Sequence, residues 1–206
     1  MEPAGHKIYL ASKSPRRREL LRQVGVEFEL LLLRDASPRG PEVSEEVHPG
    51  EKAEDYVARV TREKVEYAAN TMSWRRLPMR PILSADTTVV IDGRILGKPA
   101  DAAEAAEMLK LLSGKTHLVL TSVAVHHDEQ TWQTTQSSEV SFGNLTDEMI
   151  RAYCATAEPY DKAGGYAVQG LAAVFIKNIT GSYSGIMGLP LYETAELLRK
   201  AGIPIP

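Results

Sequence analysis

Short apolar runs closed by turn residues alternate with stretches of helical periodicity along almost the whole chain. Few folds are open to such a chain: the strands must share a sheet and the helices must cover it. Ile8-Tyr9-Leu10-Ala11 predicts a first strand, and Ser14-Pro15 follows as a helix cap with proline at the first helical position. That helix runs to about Val24 and stops at Gly25. Residues 28–33 predict a buried strand, and residues 51–69 a long helix with Tyr56, Val57, Val60 and Ala68 on one face. Residues 82–85 predict a strand ending at Asp86, and the apolar pairs around Asp92-Gly93 predict a two-residue hairpin. Asp101 and Glu104 form a capping-box variant for a helix that buries Ala105, Met108, Leu109 and Leu112 and stops at Gly114. Residues 117–125 and 131–142 predict two joined strands, and Thr146 opens a helix with Ile150, Tyr153 and Cys154 inward. Residues 172–176 predict a strand and 190–200 a last helix. The expected class is α/β with a mixed sheet. Residues 34–50 hold three prolines and two glycines and no regular pattern; a stretch of that length is functional or mobile.

The chain has 206 residues, enough for a real core without staples. No apolar run approaches the ~18 residues that cross a bilayer, and the first residues lack a signal-peptide layout, so a cytoplasmic protein is expected. The single cysteine, Cys154, excludes an internal disulfide and a CxxC metal knuckle. Its apolar helical stripe makes it a core residue rather than a nucleophile. His126-His127-Asp128-Glu129 looks like a metal cluster, but consecutive residues in a hairpin turn point apart. The net charge of −3 and 6% aromatic content disfavour a nucleic-acid polymer as partner, so anion binding must be local.

One local candidate stands out. Arg16, Arg17 and Arg18 fall in the first turn of the opening helix. A helix N-terminus is partially positive, so each cation there costs ~0.3–1 kcal/mol. A bound polyanion reverses that sign, because free backbone N–H groups, Ser12 and Ser14 hydroxyls and bidentate guanidinium groups then all face it. The alternative is that the arginines are solvated or paired with nearby carboxylates such as Glu19.

Further candidates lie along the chain. Asp86, after an apolar strand, is either a ligand-facing carboxylate that binds a hard cation or accepts a proton, or a turn aspartate. Lys98 follows Gly97 on a rigid turn, where it either neutralises a phosphate or is simply solvated, and Lys64 borders its helix's buried stripe, where it either snorkels or reaches into a cleft. Glu45 lies in the long polar loop as a metal ligand or a solvated charge. Gln169, in a glycine-rich connector, has an amide donor and acceptor that match a uracil or thymine edge. The glycine- and serine-rich run 181–188 either holds a ligand or turns the chain.

Taken in order, Ala11-Ser12-Lys13-Ser14-Pro15-Arg16-Arg17-Arg18-Glu19-Leu20-Leu21, Arg59 with Lys64, Ala85-Asp86-Thr87, Leu96-Gly97-Lys98-Pro99, Leu112-Ser113-Gly114, Asp161-Lys162-Ala163-Gly164 with Gln169-Gly170, and Gly181-Ser182-Tyr183 with Met187-Gly188-Leu189-Pro190-Leu191 resemble the Maf family of nucleoside triphosphate pyrophosphatases. The resemblance runs from about Ile8 to Gly202. It implies an inosine-triphosphatase-like (Maf/Ham1) fold: a mixed sheet flanked by helices, two lobes around a cleft, one domain over 1–206. It also implies a divalent metal, magnesium or manganese, and a homodimer. By the same resemblance Asp86 is the proton acceptor and a metal ligand. Arg16, Thr87 and Gln169 govern the base, and Ser14, Arg17, Lys64 and Lys98 line the phosphate site. The family often carries Val-Asp-Glu before the long helix; Val43-Ser44-Glu45 is the counterpart here, with Glu45 as the implied second metal ligand. A 7-methyl-GTP clade typically has Ser-Phe…Glu where this chain has Gly165-Tyr166-Ala167-Val168-Gln169, and Asp-Pro where it has Ser182-Tyr183. A carboxylate suits a cationic methylguanine and a neutral amide suits a pyrimidine, so the expected activity is hydrolysis of dTTP and UTP, or of modified pyrimidine nucleotides, to the monophosphate and pyrophosphate. The alternatives are a 7-methyl-GTP pyrophosphatase and a non-catalytic nucleotide-binding regulator of septum formation.

Overall fold

The computed structural model describes residues 7–33 and 43–205. In chain order the elements are β1 (Ile8–Leu10), α1 (Pro15–Gln23), β2 (Phe28–Leu30), α2 (Ala53–Trp74), β3 (Ile82–Ile91), β4 (Arg94–Leu96), α3 (Ala102–Leu112), β5 (Thr116–His127), β6 (Gln130–Phe142), α4 (Asp147–Cys154), β7 (Ile176–Thr180), α5 (Tyr183–Met187) and α6 (Leu191–Lys200). Three short 3₁₀ turns, Glu158–Asp161, Ala163–Gly165 and Leu171–Phe175, lie between α4 and β7. The seven strands form one mixed sheet in the order β2-β1-β3-β5-β6-β7, with β4 also paired to β3. β1 is parallel to β2 and β3; the other pairs are antiparallel. No helix among the described residues is long and apolar enough to cross a membrane.

Local chemistry explains the boundaries. Ser14 caps α1 through the Arg17 amide, Pro15 occupies its first turn, and Gly25 leaves it at a φ of +72°. Asp92 and Gly93 both take positive φ, as the tight β3–β4 turn requires. Asp101 Oδ1 accepts the Glu104 amide at 2.9 Å while Glu104 Oε2 accepts the Ala100 amide at 2.7 Å, which closes the start of α3. Thr146 caps α4 through the Met149 amide.

Alternation along β3 assigns the helices to the two faces of the sheet. Ile82 packs with Val65, Ala68 and Met72 of α2, and Val90 with Val57 and Val60 of the same helix. Leu83 and Ala85 face Leu20 and Leu21 of α1 and Leu197 and Leu198 of α6. Val89 joins the cluster built from α3, α4, Tyr166 and Phe175 on that second face.

Four elements differ from the sequence reading. β3 does not end at Asp86 but continues to Ile91, because β5 pairs it without a break from Ile82 to Val90. The expected buried strand 28–33 shortens to β2, a half-exposed strand at the sheet edge. The expected strand at 172–176 is a 3₁₀ turn that packs Phe175 against Tyr153 and Phe142; the strand is the following β7. The helix predicted over 51–69 begins at Ala53 and continues to Trp74, where Ala68 and Met72 extend its buried stripe. Of the irregular segment 34–50, residues 34–42 lie outside the described residues.

Candidate active site

The edge of β3 that faces β1 is only partly covered. β1 pairs with Ile82 and Leu83, and β4 pairs with Val89 to Ile91. Among the described residues no strand pairs with that edge from 85 to 88, while β5 holds the opposite edge throughout. A cleft of 340 Å³ opens at this interruption, within the usual range for a small-ligand pocket. Adjacent strand residues point to opposite faces, so Asp86 turns toward α2 and Thr87 toward α1. Among the described residues, six lysines and arginines and three carboxylates line the cleft, a local surplus of positive charge in a chain of net charge −3.

On the α2 side, Lys64 Nζ lies 2.7 Å from Asp86 Oδ1 and 2.6 Å from Glu45 Oε1. Burial pulls the Lys64 ammonium down, but Asp86 and Glu45 outweigh it and leave its pKa above the ordinary lysine value. Burial pushes the Glu45 carboxyl up, and Lys64, Lys98 and Arg17 together bring it below the ordinary range. Both groups are therefore charged at neutral pH. The segment carrying Glu45 is tied to α2. Tyr56 Oη donates to Glu45 O at 3.0 Å, and Arg59 donates to Glu46 O at 2.9 Å and to both oxygens of Glu51 at 2.6 and 2.9 Å. That fork, with the His48 amide, holds the Glu51 carboxyl down at about 2. Burial, with Asp86 and Glu45 nearby, pushes the Tyr56 hydroxyl up to about 12.

On the α1 side, Arg17 donates to Gly188 O at 2.6 Å, Ser12 Oγ at 3.1 Å and Thr87 Oγ1 at 3.2 Å. Burial depresses its pKa, opposed by Asp86 and reinforced by Arg16. Thr121 donates its single hydroxyl proton to Gly185 O at 2.7 Å, so Thr87 must donate to Thr121 across their 3.0 Å contact and accept from Arg17. Arg16 donates to Met187 O at 3.2 Å and to Asp161 Oδ2 at 3.5 Å. The arginines at the start of α1 thus meet the carbonyls that end α5, where the helix dipole is negative. Among the described residues, three of the five N–H groups of Arg17 are engaged this way, which leaves donors for a further anion. Arg18 lies outside the cleft, so the triplet acts as a pair.

Lys98 and Gln169 complete the rim. Both are exposed, and neither side chain has a hydrogen-bond partner among the described residues. Ser14 lines the cleft beside Ser12, whose Oγ accepts the Ser14 amide at 3.2 Å.

Residues 7–201 match the Maf-like protein family. The chain belongs to the Maf family. Curated relatives of this Maf chain include a protein of Aromatoleum aromaticum, 53% identical over 206 residues that span 100% of both chains. Others come from Nitrosomonas europaea, 50% identical over 98% of each chain, and Bordetella avium, 50% identical over 97% of this chain and 98% of that one. All three are named dTTP/UTP pyrophosphatase. Among solved structures, the Staphylococcus aureus Ham1 protein aligns with a TM-score of 0.43 and 14% identity over 66% of this chain and 71% of its own.

In this Maf cleft the nine residues singled out from sequence, Ser14, Arg16, Arg17, Glu45, Lys64, Asp86, Thr87, Lys98 and Gln169, all reach one cavity. Lys64 bridges Glu45 and Asp86, and Arg17 and Thr87 form a second group. The donor set suits a hard divalent cation: Glu45 and Asp86 already converge on one cationic nitrogen, and magnesium takes one or two carboxylates and completes its shell with water and phosphate oxygens. Among the described residues no cluster of three or more His, Cys, Asp or Glu side chains forms a full protein cage. The sequence reading missed the support. Thr121, Tyr56, Asp161, and the carbonyls of Met187 and Gly188 enter the site through contacts from remote parts of the chain. Arg59, Asp161, Met187 and Gly188 stand in the sequence only as parts of a motif, and Tyr56 only as a residue of a buried helix face.

Proposed function

We propose that this chain hydrolyses dTTP and UTP to the monophosphate and pyrophosphate, as the names of its relatives would have it. The observation that carries the reading is Asp86 on the uncovered edge of β3, with Lys64 and Glu45 on one side and the Arg17 group on the other. A polyanion laid in that cleft is within the reach of Ser14, Arg17, Lys64 and Lys98, which all line it. Positioning and charge neutralisation supply most of the rate in such a reaction. Asp86 takes the proton of the attacking water. The water oxygen bonds to the α-phosphorus, the bond to the α–β bridging oxygen breaks, and pyrophosphate leaves with that electron pair. Asp86 and Glu45 would hold a magnesium or manganese ion, which supplies neutralisation of phosphate charge and acidifies bound water.

Gln169 selects the base. Its neutral amide offers one donor and one acceptor, as a pyrimidine edge with a donor between acceptors requires. Arg16 lines the same cleft and meets Asp161, and Thr87 contributes by fixing Arg17, since its own hydroxyl is committed. The full 1–206 chain would act as one domain, in the cytoplasm where nucleotides are pooled, and as a homodimer of twice 22.6 kDa, which light scattering would resolve.

The decisive experiment is a pyrophosphate-release screen over common and modified nucleoside triphosphates with magnesium and with manganese. Highest kcat/KM on dTTP, UTP or a modified pyrimidine supports the proposal. Preference for 7-methyl-GTP, or binding without release at every metal concentration, overturns it; the latter would favour a non-catalytic sensor.

A further inference from the structure

The Gln169 side chain has no partner among the described residues, so its position is set by the backbone beneath it. It stands third in a four-residue turn closed by the Gly170 amide on Ala167 O at 3.2 Å. Beyond the turn, Glu158 accepts the Leu171 and Ala172 amides at 2.8 and 3.1 Å, and a Cβ on Gly170 would come within 2.2 Å of the same carboxylate. Before it, Gly164 is pressed onto β3. Its amide donates to Gly97 O at 2.9 Å, its φ is +69°, and a Cβ there would come within 2.8 Å of Val89. Between these anchors the chain drives Tyr166 into the core, 5% exposed, with its hydroxyl 2.7 Å from His117 Nε2.

His117 is an unusual choice for that place. It lies on β5, 2% exposed, edge-to-face with Phe142 at 5.1 Å and with Tyr166 at 5.4 Å. Its other ring nitrogen, Nδ1, is buried without a partner among the described residues. An orphaned buried nitrogen is destabilising, and an apolar pair of the same shape would avoid it. What the apolar pair would lack is direction: packing lets a ring slide, whereas a hydrogen bond fixes where the hydroxyl sits. Burial lowers the His117 pKa to about 4, so the ring stays neutral and the bond persists at neutral pH. Tyr166 also borders the cleft, together with Ala167, Val168 and Gln169, so the constraint is applied on the stretch that carries Gln169.

We propose that His117 is a positioning residue for base selection, which through its hydrogen bond to Tyr166 sets how deep the 162–170 strap sits and so where the Gln169 amide meets the base. The inference rests on the cleft being a nucleotide site, as proposed above. It does not place His117 or Tyr166 in the hydrolytic step.

The test compares wild type with Tyr166→Phe, His117→Phe and His117→Gln. Readouts are kcat and KM for UTP, the UTP-to-GTP ratio of kcat/KM, and the inhibition constant of inorganic tripolyphosphate, which engages the phosphate groups alone. Tyr166→Phe and His117→Phe raise KM about tenfold, keep kcat within about twofold and lower the UTP preference about tenfold, an effect in the range of small displacements in a binding site. Tripolyphosphate inhibition is unchanged. His117→Gln, whose amide still reaches the Tyr166 hydroxyl, stays near wild type. Should His117→Phe fail to fold, Tyr166→Phe, which removes a single oxygen, decides the matter. Folded variants with unaltered KM and preference overturn the proposal, as does tripolyphosphate inhibition that weakens in step with KM. If wild type releases no pyrophosphate from any nucleotide, the catalytic reading fails by itself. Calorimetry with a non-hydrolysable UTP analogue against tripolyphosphate then decides the role of His117: analogue affinity that falls about tenfold in Tyr166→Phe with tripolyphosphate affinity unchanged supports it, and unaltered analogue affinity overturns it.

Discussion

Along the wall formed by α1, α2 and β3, the charged groups facing the cleft are already engaged: Arg17 by three oxygens, Lys64 by two carboxylates, Arg16 by a carbonyl and Asp161. The strap wall is built the other way. Gln169 is exposed and has no side-chain partner among the described residues, and the ordering lies in the backbone below it. The first arrangement offsets the cost of gathering like charges and holds them in place, ready on the proposed reading for phosphate to replace internal partners. The second leaves a reading group free and fixes only its base. On the proposed reading, recognition of a common triphosphate falls mainly to the first wall and selection among bases mainly to Gln169, with Arg16 and Thr87 lying between them.

Substitutions that strike one wall should spare the other. Arg17→Ala has the largest expected effect. On the proposed reading it removes an anion ligand and leaves Gly188 O and Thr87 without their donor, so KM for every triphosphate rises about 100-fold, base preference shifts far less, and the melting temperature falls. Steady-state kinetics on UTP and GTP with a thermal melt check both. Gln169→Glu is the mirror case. UTP turnover falls about tenfold, GTP is affected less, and the melt is unmoved because the side chain is exposed. An equal loss on both bases would merge the two walls into one. Lys98→Ala is the smallest: a few-fold rise in KM that fades with added salt, as expected of an exposed charge.

Stability gives an independent probe of the strap. His117 has its pKa lowered to about 4 when folded and near 6.5 when unfolded, so the unfolded chain binds the extra proton between those values. Stability tied to His117 is complete above about pH 6.5 and is lost as pH falls toward 4, by at most about 3 kcal/mol from the size of that shift. Denaturant melts of wild type across this window should slope more steeply than those of His117→Gln. Equal slopes would mean the ring is hydrated.

Much of this is legible in the sequence where the cause is local. The caps at Ser14, Asp101 and Thr146 and the turn at Asp92-Gly93 need only neighbouring residues, and the elements they bound appear as expected. β3 reads short because Asp86-Thr87-Thr88 interrupts an apolar run, and only pairing with a strand some 35 residues later carries the extended backbone through. The 171–175 segment misleads because an apolar run suits a packed 3₁₀ turn as well as a strand, and α5 hides among glycines with one short turn of helix. Within the site, Asp86 and Lys64 can be named because a charge stands beside an apolar run or a buried stripe, and the arginines because cations crowd the start of a helix. The carbonyls of Met187 and Gly188 cannot, since every residue has one and only the fold aims it.

The central claim is that water attacks the α-phosphorus in a cleft centred on Asp86. Hydrolysis of UTP in ¹⁸O-water, followed by mass spectrometry of both products, tests it most directly. The account predicts one ¹⁸O atom in UMP, none in pyrophosphate, and no labelled product from a folded Asp86→Asn variant. Label in pyrophosphate, or an active Asp86→Asn enzyme, would contradict it.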